Sequence, residues 1–221
     1  TGRSPYVFKT MSIELKAERC ITIGVVADTH IPDRVNGLHP QLIPELKRRE
    51  VDFILHCGDL SRRQVLDDLK TVAPVYAARG NRDIFLRKEL PISQILLVNG
   101  IRLFLTHGHL TPLIYWADKV ENFFHGYDLK RYVKRMEKAD PEARIYVFGH
   151  THRSENSWVE GHLYFNPGGS SVGSKPDFGV SYGIIRIHTN GEIESEITQL
   201  NGAVVKFKKW DIEGLSRSEN C

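Results

Sequence analysis

Asp28 and His30 stand two residues apart at the end of an apolar run, Ile-Thr-Ile-Gly-Val-Val-Ala. A carboxylate beside an imidazole is the mixed donor set that suits a divalent transition metal. The same grammar recurs along the chain, where apolar segments end in Gly58-Asp59, Gly80-Asn81-Arg82-Asp83, His107-Gly108-His109 and Gly149-His150-Thr151-His152. Taken together, Asp28, His30, Asp59, Asn81, His107, His150 and His152 are seven oxygen and nitrogen donors. That is too many for one zinc ion and fits two cations sharing a bridge. A one-ion site would leave several of these groups buried without partners, which is costly.

Such donors can meet only if strands deliver them to a common edge. Side chains at i and i+2 of a strand share a face, so the period predicts that Asp28 and His30, at the carboxyl end of a buried strand, look at one point. Residues 38–50 place Leu42, Ile43, Leu46 and Arg49 at helical spacing; Pro40 suits a first turn and Pro44 weakens the pattern. A strand is expected over 51–57, a helix over 63–70 and a strand over 75–78, a strand-helix alternation that reads as a parallel sheet. Ligands of open α/β sheets gather at the carboxyl ends of strands, so these segments converge on one crevice.

Further on, Asn99-Gly100 between 95–98 and 101–105 signals a hairpin with a type I′ turn. Residues 115–138, aromatic and then charged, are expected to form two helices, and 144–148 another buried strand. A second hairpin is expected over 158–165, closed by Asn166-Pro167-Gly168-Gly169, and a third from 182–188 and 193–200 around Asn190-Gly191. There is no internal linker or repeat. The reading is an N-terminal extension over 1–20, one domain over 21–200 and a polar C-terminal tail over 201–221 to which no element is assigned.

Composition narrows the class. Hydrophobic residues make up 41% of the 221 and charged residues 26%, ordinary values for a soluble protein, and the net charge is only +3. Lys and Arg are scattered without a basic block, which argues against a dedicated nucleic-acid binder. Cys20, Cys57 and Cys221 form no C-x-x-C pair, so neither a disulfide framework nor a zinc ribbon is indicated, and a reducing cytoplasm is the expected location. No apolar stretch reaches the roughly 18 residues of a membrane helix. Residues 1–10, before Met11, are set aside as an end that processing or cloning could have supplied.

The order Asp28-Thr29-His30, Gly58-Asp59, Gly80-Asn81-Arg82-Asp83, His107-Gly108-His109 and Gly149-His150-Thr151-His152 resembles the calcineurin-like metallophosphoesterase superfamily. The short spacings and the Asn166-Pro167-Gly168 turn are similar to its small bacterial and archaeal phosphodiesterase branch, which also contains a non-catalytic retromer subunit. The resemblance spans about 21–200. It implies an α/β fold, a sandwich of two mixed β-sheets flanked by helices. It also implies one metal on Asp28, His30 and His152, a second on Asn81, His107 and His150, and Asp59 bridging; manganese is expected, with nickel, iron or zinc as options. Chemistry agrees, since paired cations need a shared anion, and Asn81 adds a neutral carbonyl oxygen.

The implied function is hydrolysis of small, nucleotide-like phosphodiesters by a metal-bridging hydroxide, with no membrane or nucleic-acid partner and symmetric homo-oligomers. The alternative is a protein-interaction scaffold on the same fold. One departure bears on mechanism: Arg82 stands where many members carry histidine, and it can stabilise charge but not donate a proton near neutral pH. His109 is then the candidate proton source.

Other groups receive blander readings. His56 should pack in the sheet, and Cys57 should be a small core residue. His39, His125, His162 and His188 read as surface or packing residues. Asp33 and Asp83 read as loop or cap residues able to orient a ligand, and Arg34, Arg62 and Arg63 as solvated arginines. Tyr115, Trp116, Phe123 and Phe124 read as helix packing.

Overall fold

The computed structural model describes residues 12–109, 121, 126–171 and 179–212. Tyr115, Trp116, Phe123, Phe124, His125 and Cys221 lie outside them.

Two sheets pack face to face. One contains β2 (Ile21–Val26), β3 (Phe53–His56), β4 (Val75–Ala77), β10 (Ser181–Ile187) and β11 (Ile193–Gln199), in the order β11-β10-β2-β3-β4. The other contains β1 (Ser12–Leu15), β5 (Ser93–Val98), β6 (Ile101–Thr106), β7 (Ile145–Val147), β8 (Ser154–Val159) and β9 (His162–Pro167), in the order β1-β5-β6-β7-β9-β8. Both are mixed: β2, β3 and β4 run parallel, as do β6, β7 and β9, while the hairpins are antiparallel.

Strand alternation builds three apolar layers. Ile21, Ile23 and Val25 of β2 face Leu103, Leu105, Ile145, Val147 and Phe165 across the sandwich interior. Val26, Ile54 and Ile184 point the other way, onto α1 (Leu42–Arg48) and α2 (Gln64–Lys70), whose Leu42, Leu46, Val65 and Leu69 are fully buried. Phe104, Tyr146, Phe148 and Tyr164 point outward from the second sheet onto α3 (Leu129–Ala139), whose Tyr132 and Met136 recur at i, i+4. Each strand in the middle is thus apolar on both faces, which is why the sequence shows runs there rather than alternation.

The predicted sandwich flanked by helices is the observed one. Helix α1 starts at Leu42 rather than residue 38, which puts Pro44 in its first turn, where an amide has no intrahelical acceptor to lose. Asn99 and Gly100 have φ of 45° and 81°, the left-handed pair that a type I′ turn needs. The Asn99 side chain also joins the sheets: Nδ2 donates to the carbonyls of Arg19 and Ile187, both at 3.1 Å, and Oδ1 accepts from the Ala17 amide at 3.0 Å. The second hairpin is longer than expected, because β8 begins at Ser154 and turns at Glu160-Gly161.

Two segments are more structured than the sequence suggested. Ser12–Leu15, inside the supposed N-terminal extension, pairs in parallel with Ile95–Val98 and covers what would be an open sheet edge. In the supposed tail, β12 (Val204–Lys206) and β13 (Lys209–Asp211) form a hairpin. Trp210 Nε1 donates to the Gly37 carbonyl at 2.8 Å, and its ring meets His39 edge-on at 4.7 Å. The hairpin therefore clamps the loop that follows His30.

Where β10 faces Phe165 of β9 across the sandwich, a glycine is required. A Cβ on Gly183 would fall inside the van der Waals envelope of the buried Phe165 ring. Gly183→Ala is therefore expected to cost roughly 1–3 kcal/mol, since overpacking forces neighbours off their minima. A urea midpoint equal to that of the unsubstituted chain would show that the sheets have slack at this point.

Candidate metal centre

All seven sequence-derived donors sit at one rim of the sandwich, just past the carboxyl ends of β2, β3, β4, β6 and β7. The reason they converge is not the strand period. Strand β2 ends at Val26, and Asp28 and His30 have φ of 54° and 47°. Asp59, His150 and His152 share this left-handed backbone, with φ of 56°, 71° and 55°. Such conformations are uncommon for residues with a Cβ, although Asp and His tolerate them better than most. Here loop hydrogen bonds enforce them: the Asp28 amide donates to the Gly58 carbonyl at 3.0 Å, and the His30 amide to the Asp59 carbonyl at 2.9 Å.

The donors form two clusters. In the first, His30 Nε2 lies 3.2 Å from His152 Nε2, and Asp28 Oδ1 lies 3.8 and 3.6 Å from those nitrogens. In the second, His107 Nε2 lies 3.2 Å from Asn81 Oδ1 and 3.3 Å from His150 Nδ1. Donors that share one ion at roughly 2.0–2.2 Å lie about 3–3.6 Å apart as neighbours and up to about 4.4 Å apart across it, so both clusters have distances compatible with one ligand sphere each. Asp59 faces both, with Oδ2 3.7 Å from His30 Nε2 and Oδ1 3.5 Å from His107 Nε2.

Two further observations fit a cation. Asp28 is fully buried; its Oδ2 accepts from the His150 amide at 3.0 Å, but Oδ1 has no hydrogen-bond partner among the described residues. A lone carboxylate oxygen facing two imidazole nitrogens is what a positive ion would complete. Also, His107 Nδ1 donates to the Cys57 carbonyl at 2.7 Å, which fixes the tautomer that leaves the Nε2 lone pair pointing into the cluster.

Electrostatics keeps the nitrogens of His30, His150 and His152 free of protons. Burial, with Arg34 nearby, pushes His30 down to about 2 and His152 to about 3. Burial and the neighbouring His107 hold His150 well below the usual imidazole value. Burial also raises Asp28 to about 7. Burial acts on His107 in the same downward sense, but the Asp59 and Asp28 carboxylates more than offset it and its value is raised.

His109 is brought close as well. Its donor atom, those of His107 and those of His150 all lie within 4.8 Å, and burial with His107, Arg79 and Arg135 nearby depresses it to about 3. Arg82 contributes through its backbone, its amide donating to Asp59 Oδ1 at 2.8 Å, while its side chain is exposed. His56 stands outside the clusters, fully buried: Nδ1 accepts from the Gly58 amide at 3.1 Å, so Nε2 carries the proton and donates to Thr29 Oγ1 at 3.2 Å.

Asp83 does more than cap a loop. It is fully buried, and its carboxylate accepts from the amides of Asp59, Gly80 and Ser61 at 3.0, 2.7 and 2.7 Å, locking the Asp59 loop against the Asn81 loop. Asn166 does the same for the last loop, its Nδ2 donating to the Gly149 carbonyl at 2.9 Å and to Thr151 Oγ1 at 3.0 Å. Ser171, which sequence reasoning missed, donates from Oγ to the Asp28 carbonyl at 2.8 Å. No pattern in the sequence marks a lone serine for that task.

These shifts set the acid stability of the metal-free chain. His30, His56, His109, His150 and His152 resist protonation when folded but take protons near 6.5 when unfolded. Below that pH the unfolded chain binds more protons, and stability falls as pH drops toward 3. Asp28, Asp83 and His107, all raised, act in the opposite sense but are fewer. The urea midpoint of chelator-treated protein should accordingly be lower at pH 5.5 than at pH 7.5; a flat or inverted profile would contradict the neutral-histidine site.

A model of the calcineurin-like phosphoesterase superfamily domain matches residues 21–190. A protein of Methanothermobacter thermautotrophicus named as a probable metallophosphoesterase is 31% identical over 185 residues, covering 83% of this chain and 95% of its own. Among solved structures, vacuolar protein sorting 29 of Cryptosporidium parvum superposes with a TM-score of 0.62 at 16% identity, covering 83% of this chain and 99% of that one. Vacuolar protein sorting 29 of Entamoeba histolytica, solved in complex with Zn²⁺, gives 0.57 at 19%, covering 82% and 100%. At those identities the structural likeness is one of fold. The family match over most of its length and the alignment to nearly the whole of a curated relative establish that this chain belongs to the calcineurin-like phosphoesterase superfamily.

Proposed function

We propose that the chain is a phosphodiesterase working with two divalent cations, one on Asp28, His30 and His152, the other on Asn81, His107 and His150, with Asp59 between. The observation that carries this is the Asp59 carboxylate, whose two oxygens face a nitrogen of each cluster. When bound, the cations supply Lewis acidity toward phosphoryl oxygens and lower the pKa of the attacking water.

The protein's own part is to hold donors and exclude alternatives. Four imidazoles, three of them held neutral by burial, and two buried carboxylates give oxygen and nitrogen ligands without thiolate, a set that suits manganese, with zinc, iron or nickel as options. Asn81 completes its cluster without adding charge. The exposed Arg82 guanidinium can meet phosphoryl charge but cannot protonate a leaving oxygen. His109, beside His107 and His150, would meet the leaving oxygen as a neutral N–H donor rather than as an acid, because burial depresses it to about 3. The substrate class is a small phosphodiester, and Cys20 and Cys57, both free thiols, suit a reducing cytoplasm.

The second reading, a scaffold on the same fold, draws on the vacuolar protein sorting 29 likenesses. It is separated from the first by turnover.

Metal-stripped protein refilled with manganese should hydrolyse bis-p-nitrophenyl phosphate, and Asp59→Asn should lower the rate by roughly a hundredfold or more. No turnover with manganese, zinc, iron or nickel, despite bound metal, would favour the scaffold. His109→Ala should lower kcat by about 10²-fold with metal content intact. Lost metal would make His109 a ligand instead, and intact kcat would remove it from the chemistry.

A further inference from the structure

A cavity of about 420 Å³ adjoins the metal centre, and His152 forms part of its wall. The Nε2 edge of that ring faces Asp28 and His30, so the cavity lies one imidazole away from the first donor cluster. A volume in the range of small-molecule sites, next to the place where phosphate would be gripped, has room for an ester substituent of nucleoside size.

The walls are selective. Among the described residues no aliphatic side chain lines the cavity. An acyl chain would find only the Tyr127 ring as apolar wall among the described residues, with Arg153 lying over it, which removes most of its binding energy. The Arg153 guanidinium lies over the Tyr127 ring at 5.2 Å and is held there as a planar donor group. Glu155 sits beside them, its Oε2 accepting from Tyr127 Oη at 3.4 Å and its Oε1 from Ser157 Oγ. A carboxylate retains further lone pairs for hydroxyl donors. Gln199, at the end of β11, brings an amide that can both donate and accept.

We propose, resting on the phosphodiesterase reading, that this cavity is the subsite for a neutral, hydroxyl-bearing substituent of the diester, of ribonucleoside type, and that Glu155 and Gln199 select it through its hydroxyl groups. An acyl substituent is disfavoured because the Tyr127 ring is the one apolar group in the wall among the described residues.

The experiment compares the p-nitrophenyl ester of uridine 5′-phosphate with bis-p-nitrophenyl phosphate on the manganese-loaded protein. The subsite requires kcat/KM to favour the uridine ester, and Glu155→Gln or Gln199→Ala to lower that ratio roughly five- to tenfold, the loss of one or two hydrogen bonds. A ratio near one, or a ratio unmoved by both substitutions, overturns the subsite. If neither ester is cleaved with any metal, the phosphodiesterase reading fails by itself. The subsite is then decided by calorimetric binding of uridine 5′-monophosphate. Binding weakened by the same factor in both variants upholds it, and absent or unchanged binding sinks it.

Discussion

Two carboxylates, Asp28 and Asp59, are almost entirely removed from water at the rim of a sandwich whose layers are otherwise apolar. Burying an anion is costly unless something positive or strongly donating replaces the lost water. The structure meets this only in part with protein: amides reach Asp28 Oδ2 and Asp59 Oδ1, and Asp28 Oδ1 is left without a hydrogen bond among the described residues. His30 and His152, the imidazoles nearest that oxygen, are held neutral by burial and cannot neutralise it. A cation would supply the missing positive charge; without one, burial raises Asp28 to about 7.

The second cost is in the backbone. Five of the proposed ligands adopt left-handed φ, each on the order of 1 kcal/mol above the favoured regions. The surrounding structure over-determines them. Asp83 ties three amides of two loops, Asn166 ties the loop of His150 and His152, and Ser171 ties the Asp28 carbonyl. Strain held in this way pre-sets ligand positions before any ion arrives, which is how strained conformations at functional sites are usually sustained. It also explains a small residue at Gly80, since a Cβ there would collide with Asp59 itself.

Much of this was legible without coordinates. The seven donors could be collected because each follows an apolar run, and apolar runs of this length are strands buried on both faces. The Asn99-Gly100 turn was legible because only residues tolerating positive φ fit it. The edge strand Ser12–Leu15 was not, because its sequence is half polar and only the exposed amides of β5 make it a strand. The β12–β13 hairpin was hidden for the same reason: Trp210 acquires meaning only against Gly37 and His39.

Residue type and order by themselves determined which side chains could bind metal and that strands would deliver them, because ligand chemistry and hydrophobic patterning are local properties. The resemblance of the motifs implied how the donors divide and that Asp59 bridges them; only the tertiary structure decided which nitrogen of each histidine faces inward and what distances separate the groups. Those facts depend on two sheets meeting at one rim and on loop hydrogen bonds between residues 24 or more positions apart. They also depend on a reversed backbone hand that no strand period predicts: Asp28 and His30 converge through positive φ, not through alternation.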